Sequence, residues 1–245
     1  MTTSENRTAP QMIIRKAADR GHADHGWLKS AHSFSFAGYN DPDHVHYESL
    51  RVINDDRVAP GGGFPTHPHR DFDIFSYVLE GSLKHEDTLG NGSTVTKGGI
   101  QYMSTGSGVS HSEFNPSQSD PVHFLQVWLI PNEKGVTPRY ETLAASDLDR
   151  RGKLALILSP DGRNGSIRVQ QDALVFVALL NGAEQISYTA ENGRKVWIQV
   201  AEGSLSINDV QVSAGDGIAI NGGEINLTNG HNANVLLFDL ALLED

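Results

Sequence analysis

Cysteine is absent from all 245 residues, which excludes disulfides, thiolate nucleophiles and cysteine-bound metals together. Basic residues are also scarce: 19 Lys and Arg stand against 30 Asp and Glu, a formal net charge of −11. Phosphate backbones are bound through surplus Lys and Arg, so direct recognition of nucleic acid is excluded. The densest basic run, Arg150-Arg151-Gly152-Lys153, reads as a solvated connector. No segment approaches the roughly 18 consecutive apolar residues of a membrane span. The opening Met1–Pro10 is polar and lacks the apolar core of a secretory signal. These absences lead to the expectation of a soluble, cytoplasmic protein.

What the sequence does contain is short apolar alternation broken by turn residues, the signature of an all-β chain. Expected strands include Tyr47–Asn54, Phe72–Leu79, Ser93–Thr96, Phe124–Ile130, Ala173–Leu180, Lys195–Ala201 and Val235–Leu240. Gly90-Asn91-Gly92, Asn192-Gly193 and Asn229-Gly230 suit turns with positive φ. A helix is expected only over Tyr140–Leu148. Residues 136–153 read as a connector between two β-rich halves, 1–135 and 154–245. The halves look duplicated, because Glu80-Gly81-Ser82-Leu83 recurs as Glu202-Gly203-Ser204-Leu205, each copy after an alternating strand. Each is followed by a Gly-led turn, Lys97-Gly98-Gly99 and Ala214-Gly215-Asp216.

Histidine is unevenly spread: of the 11 in the chain, only His231 lies in the second half. Two Gly-rich segments concentrate the chemistry, Gly61-Gly62-Gly63-Phe64-Pro65-Thr66-His67-Pro68-His69 and Gly106-Ser107-Gly108-Val109-Ser110-His111-Ser112-Glu113. Side chains two apart on a strand share a face. His67 and His69 therefore point one way, as do His111 and Glu113, and adjacent strands would bring all four together. Three imidazoles and a carboxylate suit Fe(II), Mn(II), Ni(II), Cu(II) or Zn(II) and are too rich in nitrogen for Mg or Ca. Four such ligands on an octahedral ion leave two positions open for substrate or dioxygen. The same segment of the second half, shifted by 122 residues, holds Thr189 and Glu191 and no histidine, so a metal-free second half is expected. His85-Glu86-Asp87 reads as a hairpin end, and His22, His25 and His123 as surface or satisfied residues. Phe34, Phe36 and Phe64 suit either a core or an aromatic wall.

The segments also carry a family resemblance. Gly61-x5-His67-x-His69 and Gly108-x2-His111-x3-Asn115 match parts of the two cupin motifs. His32-Ser33-Phe34-Ser35-Phe36, Arg51-Val52-Ile53-Asn54-Asp55-Asp56, Thr66-His67-Pro68-His69-Arg70-Asp71 and Thr137-Pro138-Arg139-Tyr140-Glu141 resemble pirin and its bacterial relatives. The likeness runs from about residue 12 to residue 141 and is loose beyond. It implies a bicupin, two tandem jelly-roll-like β-barrels, with the N-terminal one binding metal through His67, His69, His111 and Glu113. Asp73 stands where the general cupin motif has a Glu ligand, and reads as a supporting residue. One divalent transition metal is expected, iron first, with Mn, Ni, Cu, Co or Zn also suited to these donors.

Members of this family include quercetin 2,3-dioxygenases, which open a flavonol with O2 and release carbon monoxide. The resemblance therefore implies a small planar aromatic substrate, and Glu113, the only anionic base that the ligand motif provides, is expected as the catalytic base. The alternative it implies is a non-enzymatic regulatory or stress protein acting through a protein partner. Nothing in the apolar pattern demands an oligomer.

Overall fold

In the computed structural model, residues 11–243 are described; the polar Met1–Pro10 segment lies outside them. Strands dominate, and among the described residues the only helical turns are three short 3-10 segments. No helix is long and apolar enough to cross a membrane. The first half is a sandwich of two antiparallel sheets. A seven-stranded sheet runs in the order Arg139–Leu143, Ile100–Ser104, Asp73–Glu80, Val122–Leu129, Leu50–Val58, Leu28–His32, Gly21–Asp24. A four-stranded sheet runs Gly63–His69, Val109–Phe114, Ser82–Asp87, Gly92–Thr96. The second half is one nine-stranded sheet that curls around its own core, built on the long strands Lys195–Ile207 and Gly223–Leu240. Met12–Arg15, although first in the chain, pairs with Gly217–Ile220 of this second sheet.

The central strands are buried on both faces because each face meets a different interior. Phe75, Tyr77 and Leu79, with Leu125, Val127 and Leu129, pack against Trp197, Leu236 and Phe238 of the second half. The alternate positions Ile74, Ser76 and Val78 belong to the opposite face of that strand. Polar ties cross the same joint: Gln170 N–H donates to Asp73 at 2.7 Å, and Tyr77 donates to Asn234 at 3.0 Å.

The helix expected over Tyr140–Leu148 does not form. Arg139–Leu143 is an edge strand paired with Ile100–Ser104, and only Ala145–Asp147 turns as a 3-10 segment. A helix this short is marginal without tertiary support. Here the ladder and the seating of the Tyr140 ring, stacked at 4.2 Å on His85, favour the strand.

The repeat is realised down to its hydrogen bonds. Gly98 N–H donates to Val78 and Val78 N–H to Gly99 in the first copy. Gly215 N–H donates to Val200 and Val200 N–H to Asp216 in the second. Gly81 and Gly203 turn the corners at φ +74° and +69°. A Cβ on Gly203 would lie 2.3 Å from the carbonyl oxygens of His231 and Asn232, so the close approach requires glycine.

Candidate metal centre and cavity

The two Gly-rich segments become neighbouring strands. Val109–Phe114 pairs with Gly63–His69 so that His111 lies opposite His67, with a bulge before Glu113. The rings of His67, His69 and His111 converge, with centroids 4.6–5.0 Å apart. Their donor nitrogens all fall within 4.8 Å of one another. Glu113 joins through a second cluster, His85–His111–Glu113, which meets the same limit. His111 is the hinge between the two.

The hydrogen-bond network aims the nitrogens. His67 Nδ1–H donates to the Pro65 carbonyl at 2.8 Å, which leaves Nε2 facing inward as the atom for a metal. His85 Nε2–H donates to Asp87 at 3.2 Å, and its Nδ1 accepts from His111 Nδ1 at 3.3 Å. Asp87 is fixed in turn by the backbone N–H groups of Leu89 and Asn91. His111 therefore also presents a lone pair at Nε2, 3.1 Å from that of His67. Two lone pairs facing at this distance repel unless a cation lies between them. Nitrogens bound at about 2.1 Å and at right angles around one ion stand roughly 3.0 Å apart, so the donor set fits a transition metal.

Burial disfavours the protonated form of two of the rings. It pulls His111 down to about 2, with the neighbouring His67 and His69 acting in the same sense, and His69 down to about 4. Burial also pushes Glu113 up to about 7, against hydrogen bonds from Ser76, Gln126 and Gln101 that favour its anion. Ser76 donates at 3.2 Å and Gln126 at 2.7 Å, and Gln101 is in contact with the same carboxylate.

These supporting residues are missed by a reading of the sequence alone. The available signal was a lone polar residue inside an apolar strand: Ser76 in Ile74–Leu79, Gln101 in Ile100–Met103, Gln126 in Phe124–Leu129. His85 and Asp87, expected as a hairpin end, are instead the outer support of His111. His22 and His25, expected as surface or core residues, line the cavity described next. His123 is buried against Asp55 at 2.6 Å. Asp73 stands outside both clusters, at the joint between the halves.

His67 and His69 open onto a cavity of about 780 Å³ between the two sheets of the first half. That volume lies within the roughly 300–1,000 Å³ of small-molecule sites. Phe36, Tyr39, Phe64 and Trp128 supply flat apolar walls, while Asn54, Asp56 and Gln126 supply polar groups. Phe34 is instead core, packed on Trp197 at 5.0 Å. Trp128 stands edge-on to His69 at 4.8 Å, so the wall continues to the histidines.

Comparison with known proteins agrees with this architecture. A family model described as Pirin matches residues 13–129, and one described as Quercetinase C-terminal cupin domain matches residues 156–240. The quercetin 2,3-dioxygenase of Escherichia coli (strain K12) is 47% identical over 230 residues, covering 94% of this chain and 98% of that protein. A pirin-like protein of Caulobacter vibrioides is 37% identical over 233 residues, covering 94% and 100%. The crystal structure of YhhW from Escherichia coli matches with a TM-score of 0.90 at 44% identity, covering 96% of this chain and 100% of that one. The same bacterial pirin has been solved in complex with nickel(II).

Proposed function

This chain belongs to the pirin family, and from that premise we propose that it is a metal-dependent dioxygenase opening a flavonol such as quercetin with O2 and releasing carbon monoxide. The observation that carries the reading is the convergence of three imidazoles, two of which, His67 and His69, line an aromatic-walled cavity. His67, His69, His111 and Glu113 would hold one divalent metal, which would favour the deprotonated 3-hydroxyl of the flavonol and hold it beside O2. Iron is the expected ion, and the nickel complex of the related YhhW is consistent with a donor set that accepts several. Phe36, Phe64 and Trp128 orient the flat rings and keep water from their faces. Glu113 is the buried carboxylate nearest the histidines, and it serves as the base that takes the hydroxyl proton.

The test is anaerobic reconstitution with Fe(II), Mn(II), Ni(II), Co(II) or Cu(II), then quercetin and air. Loss of the flavonol absorbance and release of carbon monoxide are followed, with a His67→Ala/His111→Ala protein as the blank. Metal-dependent turnover absent from the blank is the expected result. Firm metal binding without turnover under any metal would favour a regulatory protein or an enzyme for a different substrate. Glu113→Gln protein that keeps its metal and turns over at the wild-type rate would remove Glu113 as the base.

A further inference from the structure

Among the described residues, Asp56 is the one that lines the cavity and has a buried polar atom without a partner. It lies on the Leu50–Val58 strand, across the cavity from the histidine-bearing sheet, and is 2% exposed. Ser30 stands opposite on the paired strand, yet Oδ1 meets no donor. Its polar neighbours are occupied. Asn54 Oδ1 is bonded to His32 at 2.8 Å, and Gln126 gives its amide to Glu113 and accepts from Trp128. A buried oxygen without a donor is costly, so one that persists asks for an explanation. Asp56 lines a cavity with flat walls, where a planar ligand would present its edge.

We infer that Asp56 is a specificity residue, which accepts a hydrogen bond from a ring hydroxyl of the substrate other than the one engaged at the histidines. The substrate class is thereby narrowed from planar aromatics to polyhydroxylated ones. Burial and the nearby charges of Asp55 and Glu113 raise the Asp56 carboxyl to about 7, against the opposite influence of the Ser30 hydroxyl. A carboxyl so placed can accept from a hydroxyl when ionised and donate to it when protonated. The inference rests on the flavonol reading and adds which part of the molecule is recognised.

The experiment uses metal-loaded protein kept anaerobic, so that binding is read without turnover. Quenching of tryptophan fluorescence, with Trp128 in the cavity wall, gives affinities for quercetin and for 3-hydroxyflavone, which keeps only the 3-hydroxyl. A hydrogen bond to a charged group leads to an expected preference of about 10- to 100-fold for quercetin in the wild type. Asp56→Leu should remove that preference by weakening quercetin and leaving 3-hydroxyflavone unchanged; Asp56→Asn, which keeps the shape and one acceptor, should remove part of it. If both variants discriminate as the wild type does, the inference is overturned and the flavonol reading stands. Wild-type protein that binds neither flavonol overturns both.

Discussion

The two halves place different side chains at the same points of one scaffold. In the first, Ser76 pairs across the sheet with Gln101 on one side and Gln126 on the other, and all three hold Glu113. In the second, Ile198 pairs with Ile218 on one side and Leu237 on the other. Glu113 stands opposite His85; Leu227 stands opposite Ile207. His111 stands opposite His67, and Ile225 opposite Tyr188. The backbone turns that close each unit are alike, so the ladder and its glycines are indifferent to what fills the barrel. One filling is a dry aliphatic core in which Ile198, Leu205, Ile218, Leu227 and Leu237 pack together. The other is a polar network whose members are tolerable in the interior only because they bond one another.

That contrast can be broken from either side. The largest effect is expected at the hinge of the site: His111→Ala should lower metal affinity by more than the roughly 10- to 100-fold typical of outer-shell losses. Titration of the purified protein with Ni(II) or Fe(II) measures it, while thermal unfolding of the metal-free protein should change much less. Leu227→Ala, at the second half's counterpart of Glu113, should do the reverse. It should cost about 2–5 kcal/mol in denaturant unfolding and leave metal affinity intact; a metal defect there would show that the halves are coupled.

The polar filling should also reveal itself through pH. Asp56 is raised from 3.8 in the unfolded chain to about 7 in the fold. Between those values the folded state holds the extra proton, so stability from this group is full below about 4, falls as pH rises, and levels off above about 7. Asp56→Asn should flatten that slope and stabilise the protein at neutral pH by at most about 4 kcal/mol. Urea unfolding at pH 5 and pH 8 decides it, since an unchanged difference between the two would refute the assignment. A milder effect is expected from His85→Ala, which leaves all four candidate ligands in place: about 10- to 100-fold weaker metal binding through loss of the group that orients His111. Affinity equal to wild type would return His85 to the plain hairpin role.

Much of this was legible in the chain before any fold was known. Period-two spacing put His67 with His69 and His111 with Glu113, and the strand pairing brings the first three together. The Glu-Gly-Ser-Leu repeat marked two units whose corner glycines adopt the same positive φ. Less legible were single residues whose meaning depends on a distant strand. Gln101 and Gln126 are ordinary polar letters until pairing with Ser76 turns them onto one carboxylate. His85 is three residues from a turn and becomes a support for His111 only because Val109–Phe114 folds alongside it. Tyr140 sits in a segment with helical composition, and the sheet edge made it a strand.

The sequence by itself determined the all-β architecture, the duplication and the set of histidines, because these follow from spacing along the chain, and side-chain direction alternates strictly in a strand. Only the tertiary structure decided which ring nitrogens face each other, which polar groups surround Glu113 and which carboxyl beside the cavity is left with an unpartnered oxygen. Those depend on the register between strands far apart in the chain, which hydrogen bonding and burial settle together once the sheets have packed.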